Sequence, residues 1–129
     1  MKKYNNFIKA FQNLKLCENY HAPYDVVTQT GLVSLFTICF EQAWKAMKEI
    51  LEEHGYDEGK TGSPKMIIKL AYQAGMIQDE NAWRGILQMR NEVAHSYNEN
   101  VALEIIENTQ KCYIHLFEVL KTELEENWL

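Results

Sequence analysis

Arg90-Asn91-Glu92-Val93-Ala94-His95-Ser96-Tyr97 is the stretch in which chemically capable side chains crowd together. Arg90 carries a permanent charge on a planar fork of donors that matches a phosphate group. His95 carries an imidazole, the side chain whose unperturbed pKa lies near neutral pH, so it can take a proton and return it. Tyr97 adds a phenol two residues on. Guanidinium and imidazole together suit phosphate-ester chemistry without a metal. The spacing constrains the shape. On a straight helix, positions five apart lie about 140° from each other, so Arg90 and His95 would not share a face. They converge if the helix stops near Ala94, or if a second copy of the chain supplies the missing partner. Asn98-Glu99 reads as the cap and first turn of a following helix, which favours a stop. The plainer reading is a helix C-terminus closed by a histidine, since an R-x4-H spacing arises easily by chance.

Other chemistries find little support. The three cysteines, Cys17, Cys39 and Cys112, are widely spaced and form no C-x-x-C pair. Cys39 and Cys112 sit in apolar periodic runs and read as small core residues, so neither a disulfide framework nor a zinc site is expected. His21, His54 and His115 lie in different elements with no metal-ligand spacing, and no cofactor is expected. Phosphate-binding glycine loops and a nucleophile elbow are absent. The net charge of −5 excludes a global basic footprint for nucleic acid, so any RNA contact would be local. With no apolar segment long enough for a bilayer and no secretory leader, the cytoplasm is the default location.

The elements that must position the site are helices. With only two prolines and six glycines in 129 residues, long helices and one domain over residues 1–129 are expected. Phe7, Ile8, Phe11, Leu14 and Cys17 recur at helical spacing between Tyr4 and Tyr20. A longer helix is read from Asp25 to His54, stopped by Gly55. Leu32, Leu35, Phe36, Cys39, Ala43, Ala46, Met47, Ile50 and Leu51 form its stripe, widened by Val33, Ile38, Phe40 and Trp44. A helix apolar nearly all round must be covered on several sides. It is therefore either a central helix with three neighbours or part of a homodimer interface. Glu41 on this helix could face the cleft beside Arg90, but reads more simply as a solvated residue. Ser63-Pro64 opens a third helix that buries Met66, Ile67, Leu70 and Ala71 and stops at Gly75. Asp79 caps a fourth helix that carries Trp83, Ile86, Leu87 and Arg90. A fifth is read from Glu99 to Trp128, with Val101, Ile105, Thr109, Cys112, Tyr113, Leu116 and Leu120 as its seam and an exposed, frayed end at Glu123–Glu126. The fold class is all-α, an up-and-down bundle of four to five helices.

On these residues a resemblance can be stated. Arg90-Asn91-x3-His95-x-Tyr97, set between two helices of an all-α chain, resembles the signature of the HEPN superfamily. From about Phe7 to Leu120 the chain resembles the nucleotidyltransferase substrate-binding protein family, which is related to the HepT-type toxins. Phe40-Glu41-x2-Trp44-Lys45, the Gly55 stop, Ser63-Pro64, Ala74-Gly75-x-Ile77-x-Asp79 and Trp83 belong to the same ordered set. The resemblance implies a helical bundle that pairs as a homodimer and works beside a small, minimal nucleotidyltransferase. In the HepT-type branch it implies a toxin–antitoxin pair, with a metal-independent ribonuclease that its partner silences by adenylylating a tyrosine. By position, Arg90 and His95 would be the catalytic residues, Asn91 a supporting residue and Tyr97 the modified one. The substrate-binding branch implies instead a non-catalytic subunit that presents a substrate to the nucleotidyltransferase.

Overall fold

The computed structural model describes residues 1–57 and 62–129. Among the described residues six α-helices follow one another: α1 (Lys2–Lys15), α2 (Val26–Glu53), α3 (Pro64–Gln73), α4 (Glu80–His95), α5 (Glu99–Asn108) and α6 (Ile114–Asn127). Among the described residues there is no strand. α5 and α6 are two halves of one rod, so the described bundle has five rods, within the four to five that the sequence predicts. Local chemistry sets the helix starts. Asp25, Ser63, Asp79 and Asn98 each accept a backbone N–H three residues on, at 2.8, 3.4, 3.0 and 3.0 Å. Gly55 and Gly75 take the left-handed backbone that ends α2 and α3, at φ of 87° and 82°.

α2 is the axis of the bundle. Its 28 residues make a rod about 42 Å long, and it packs on α1, α3, α4 and α5. Leu32, Val33, Phe36, Cys39, Phe40, Ala43, Met47, Ile50 and Leu51 are all buried there. The neighbours thus cover most of the broad apolar stripe within one chain, including Val33 and Phe40. One ribbon of α2 stays open. It runs through Val27 (82% exposed), Thr30, Gly31, Ser34 and Ile38 (50% exposed). These positions recur every three to four residues and so share a face.

Three sequence expectations change. Met66 is half-exposed; Ile67, Ile68 and Ala71 carry the buried face of α3, because its register is set by packing on α2 and α4. Cys112 is exposed. It lies in a π turn, Thr109–Tyr113, that joins α5 to α6 and points Thr109 and Tyr113 inward instead. The adjoining Gln110 amide donates to the carbonyls of Cys17 and Tyr20, at 2.8 and 3.0 Å, and so closes the 3₁₀ turn Leu16–Asn19 that follows α1. Finally, the acidic end of the chain is tied down. Leu124 is fully buried, the Tyr4 hydroxyl donates to Glu125, and the Trp128 indole donates to Glu123 at 3.1 Å.

Candidate functional site

α4 carries the candidate residues, and the three-residue link to α5 carries the phenol. Asp79 fixes the start of α4, while Trp83, Ile86, Leu87, Met89 and Val93 bury its inner face. Those anchors fix which way every later side chain points. The helix runs through His95, so it does not stop early enough to bring Arg90 and His95 together. Arg90 turns toward α2 and His95 turns away from it.

Arg90 is half-buried and fully engaged on its α2 side. Its Nε donates to Glu41 Oε1 at 2.6 Å, and Nη2 meets the same oxygen. Its Nη1 donates to Asn91 Oδ1 at 2.8 Å, and the guanidinium lies 5.8 Å from the centre of the Phe40 ring. Glu41 is therefore not the solvated residue that the sequence predicts. Its second oxygen accepts the Trp44 indole N–H at 3.1 Å, which makes a chain Trp44–Glu41–Arg90–Asn91.

His95 is exposed and has no hydrogen-bond partner among the described residues. It stands in a shallow groove of about 720 Å³, with Arg84, Gln88 and Asn91 below it on α4 and Lys65 of α3 across from it. Lys65 and Arg84 are the cations that sequence reasoning missed; Lys65 enters because α3 meets α4 only in the folded chain, and Arg84 lies on α4 itself. Arg84 is paired with Glu80 at 3.0 Å, and Gln88 donates to Glu92 at 3.3 Å, so the groove is mixed in charge. Asn91 belongs to both halves of the site: it holds Arg90 and also lines the groove of His95.

Tyr97 is 48% exposed, and its hydroxyl lies 3.3 Å from that of Thr30 on α2. Thr30 and Glu41 are eleven residues apart, close to three full turns, so Tyr97 and Arg90 meet the same face of α2 about 16 Å apart. That face continues into the open ribbon through Ile38. One chain therefore joins Arg90 to Asn91 and places Asn91 beside His95, while Arg90 and His95 stay on different sides of α4.

Among the described residues, no three His, Cys, Asp or Glu side chains gather in a way that could hold a metal. Burial pushes the Cys17 thiol up to about 11 and raises Cys39 too, so neither offers a thiolate nucleophile. No helix is long and apolar enough to cross a membrane among the described residues.

Comparisons with known proteins bear on the fold and the family. A crystal structure of a protein from Thermus thermophilus superposes with a TM-score of 0.78 at 26% identity, covering 93% of this chain and 99% of that one. A search of curated protein sequences finds no significant match. The family model described as nucleotidyltransferase substrate binding protein like matches residues 2–126, and the chain belongs to that family.

Proposed function

We propose that this chain is the HEPN-type partner subunit of a small nucleotidyltransferase and that, as a homodimer, it is a metal-independent endoribonuclease. In this reading it is the toxin of a toxin–antitoxin pair, and its partner silences it by adenylylating Tyr97. The observation that carries the reading is the set on α4 and its exit: Arg90 fixed, Asn91 beside it, His95 free in a groove, and an exposed phenol two residues on. RNA brings its own nucleophile, the 2′-OH. One His95 takes that proton, and the His95 of the second copy gives one to the leaving 5′ oxygen. Arg90 stabilises the charge that builds on the phosphoryl oxygens. The divergence of Arg90 and His95 within one chain is what a two-fold axis repairs, because each copy then supplies what the other lacks.

The open ribbon of α2 supports such pairing, for Val27 and Ile38 are apolar, uncovered and continuous with the Tyr97 contact. Light scattering after size exclusion is expected to give twice the 15.1 kDa chain mass at micromolar concentration. Ile38→Glu is expected to give the single mass with unchanged helix content, since half of that side chain already meets solvent. A single-chain mass for the unaltered protein would remove the dimer from the mechanism.

The family also supports a nucleotidyltransferase partner. Co-expression with the product of the adjacent reading frame is expected to yield a complex that survives moderate salt. If both proteins fold but never co-purify, the pairing is wrong. Two observations favour a second reading, a non-catalytic subunit that presents a substrate to the enzyme. The Arg90–Glu41 ion pair offsets the charge a phosphate would seek, and the chain as a whole is acidic. Incubating the purified dimer with a mixed RNA pool separates the two readings.

A further inference from the structure

Glu41 is the side chain on which two otherwise unrelated parts of the site meet. It is 25% exposed, and Arg90 is 24% exposed. Oε1 accepts Nε–H of Arg90 at 2.6 Å and faces Nη2; Oε2 accepts the indole N–H of Trp44, one turn along α2, at 3.1 Å. The carboxylate cannot rotate without losing one partner. The guanidinium is fixed in turn by Asn91 Oδ1 at 2.8 Å and by the Phe40 ring beneath it. After these contacts Nη1 and Nη2 each keep a second N–H. The Nη1–Nη2 edge lies opposite Nε, and its N–H donors have the spacing of a fork that grips two oxygens of one phosphoryl group.

We infer that Glu41 is a positioning residue for Arg90. Braced by Trp44, it holds the guanidinium plane so that this outer fork meets the phosphoryl oxygens of an RNA strand. The inference rests on the ribonuclease reading, and it gives the Phe40-Glu41-x2-Trp44 run a task beyond packing. The pair is only a quarter exposed, so removing Glu41 leaves the guanidinium without the partner that fixes its plane, and the task is orientation. Orientation and charge together set where the effect falls. Paired to a carboxylate, Arg90 attracts a ground-state phosphodiester weakly, while a correctly placed fork gains most when charge builds in the transition state. Loss of Glu41 therefore lowers kcat and leaves KM nearly unchanged or lower.

The test compares wild type, Glu41→Ala and Glu41→Gln by two readouts: kcat and KM on a single-stranded RNA, and the Arg90 Nε–H resonance in a proton–nitrogen spectrum, identified by its absence in Arg90→Lys. Wild type is expected to show a separate, slowly exchanging Nε–H signal. Glu41→Ala is expected to lose that signal and to fall in kcat by about 10²-fold. Glu41→Gln keeps the size and one acceptor oxygen, so it retains the signal and recovers part of kcat; it also guards against a misfolded alanine variant. An unchanged kcat in Glu41→Ala after loss of the signal overturns the inference, and so does a rise in kcat, which would make Glu41 a lock on Arg90. If wild type leaves RNA intact, the ribonuclease reading fails on its own. The resonance then decides: survival of the signal in Glu41→Ala overturns the positioning role, and its loss supports it.

Discussion

His95→Ala is expected to cut single-stranded RNA about 10²–10⁴-fold more slowly than wild type, the range that a positioned acid or base contributes. The substitution touches the chemistry and little else. His95 ends α4, is exposed, and makes no hydrogen bond among the described residues, so it adds no core packing. The helical circular dichroism signal and the melting temperature should stay within error of wild type. Wild-type cleavage should survive EDTA, because both proton transfers are assigned to imidazoles and the nucleophile to the RNA. The products should carry cyclic 2′,3′-phosphates, since the 2′-OH attacks the neighbouring phosphorus. In the proposed reading, control belongs to Tyr97. Its phenol is half open to solvent, with its hydroxyl 3.3 Å from that of Thr30, so a partner enzyme can reach it. Incubation with the nucleotidyltransferase and ATP should add adenylate mass to wild type and none to Tyr97→Phe. The modified wild type should lose cleavage, because the adenylate places bulk and negative charge beside the α4 terminus. A mixed RNA pool left intact by purified dimer, with and without the partner, would remove the ribonuclease and leave the non-catalytic subunit.

Much of this site was legible before folding, and the reason is locality. Asp25, Ser63, Asp79 and Asn98 cap helices through oxygens that reach only three residues ahead, so spacing alone betrays them. The divergence of Arg90 and His95 follows from helical arithmetic once the helix is known to run through His95. What spacing could not show depends on how helices pack. Glu41 meets Arg90 across 49 residues, and whether it does so is decided by the register of α2 against α4. Buried Phe40 and partly buried Trp44 near Glu41 were the available hint, since a carboxylate set between aromatics of the packed face needs a partner. Lys65 enters the groove for the same tertiary reason. The acidic run Glu123–Glu126 misled because composition suggests fraying, whereas a buried Leu124 and the reach of Tyr4 to Glu125 hold the end in place. Cys112 misled because the π turn breaks the period from which its burial was read.

Phe117→Ala is expected to have the largest effect on stability, about 3–5 kcal/mol by urea unfolding. Phe117 is fully buried at the point where α1, α4 and α6 meet. Its ring centre lies 6.2 Å from that of Phe7, 6.2 Å from that of Phe11 and 5.4 Å, edge to face, from that of Trp83. Truncation removes all three ring contacts and leaves a cavity that neighbours on three helices cannot fill together. Against a total of about 5–15 kcal/mol for a domain, that loss brings the chain near its threshold, with a fall in melting temperature of roughly 10–20 °C. Phe117→Leu, which keeps most of the apolar volume, should lose distinctly less. A loss below about 1 kcal/mol in the alanine variant would mean that the cluster closes around the gap and that its packing is looser than these contacts imply. Trp83, the member of this cluster on α4, is twelve residues from His95, about 18 Å along the helix. At temperatures well below its own midpoint, Phe117→Ala should therefore keep RNA cleavage near the wild-type rate while His95→Ala does not. That pair of variants separates damage to the scaffold from damage to the site, because each changes the quantity that the other leaves alone.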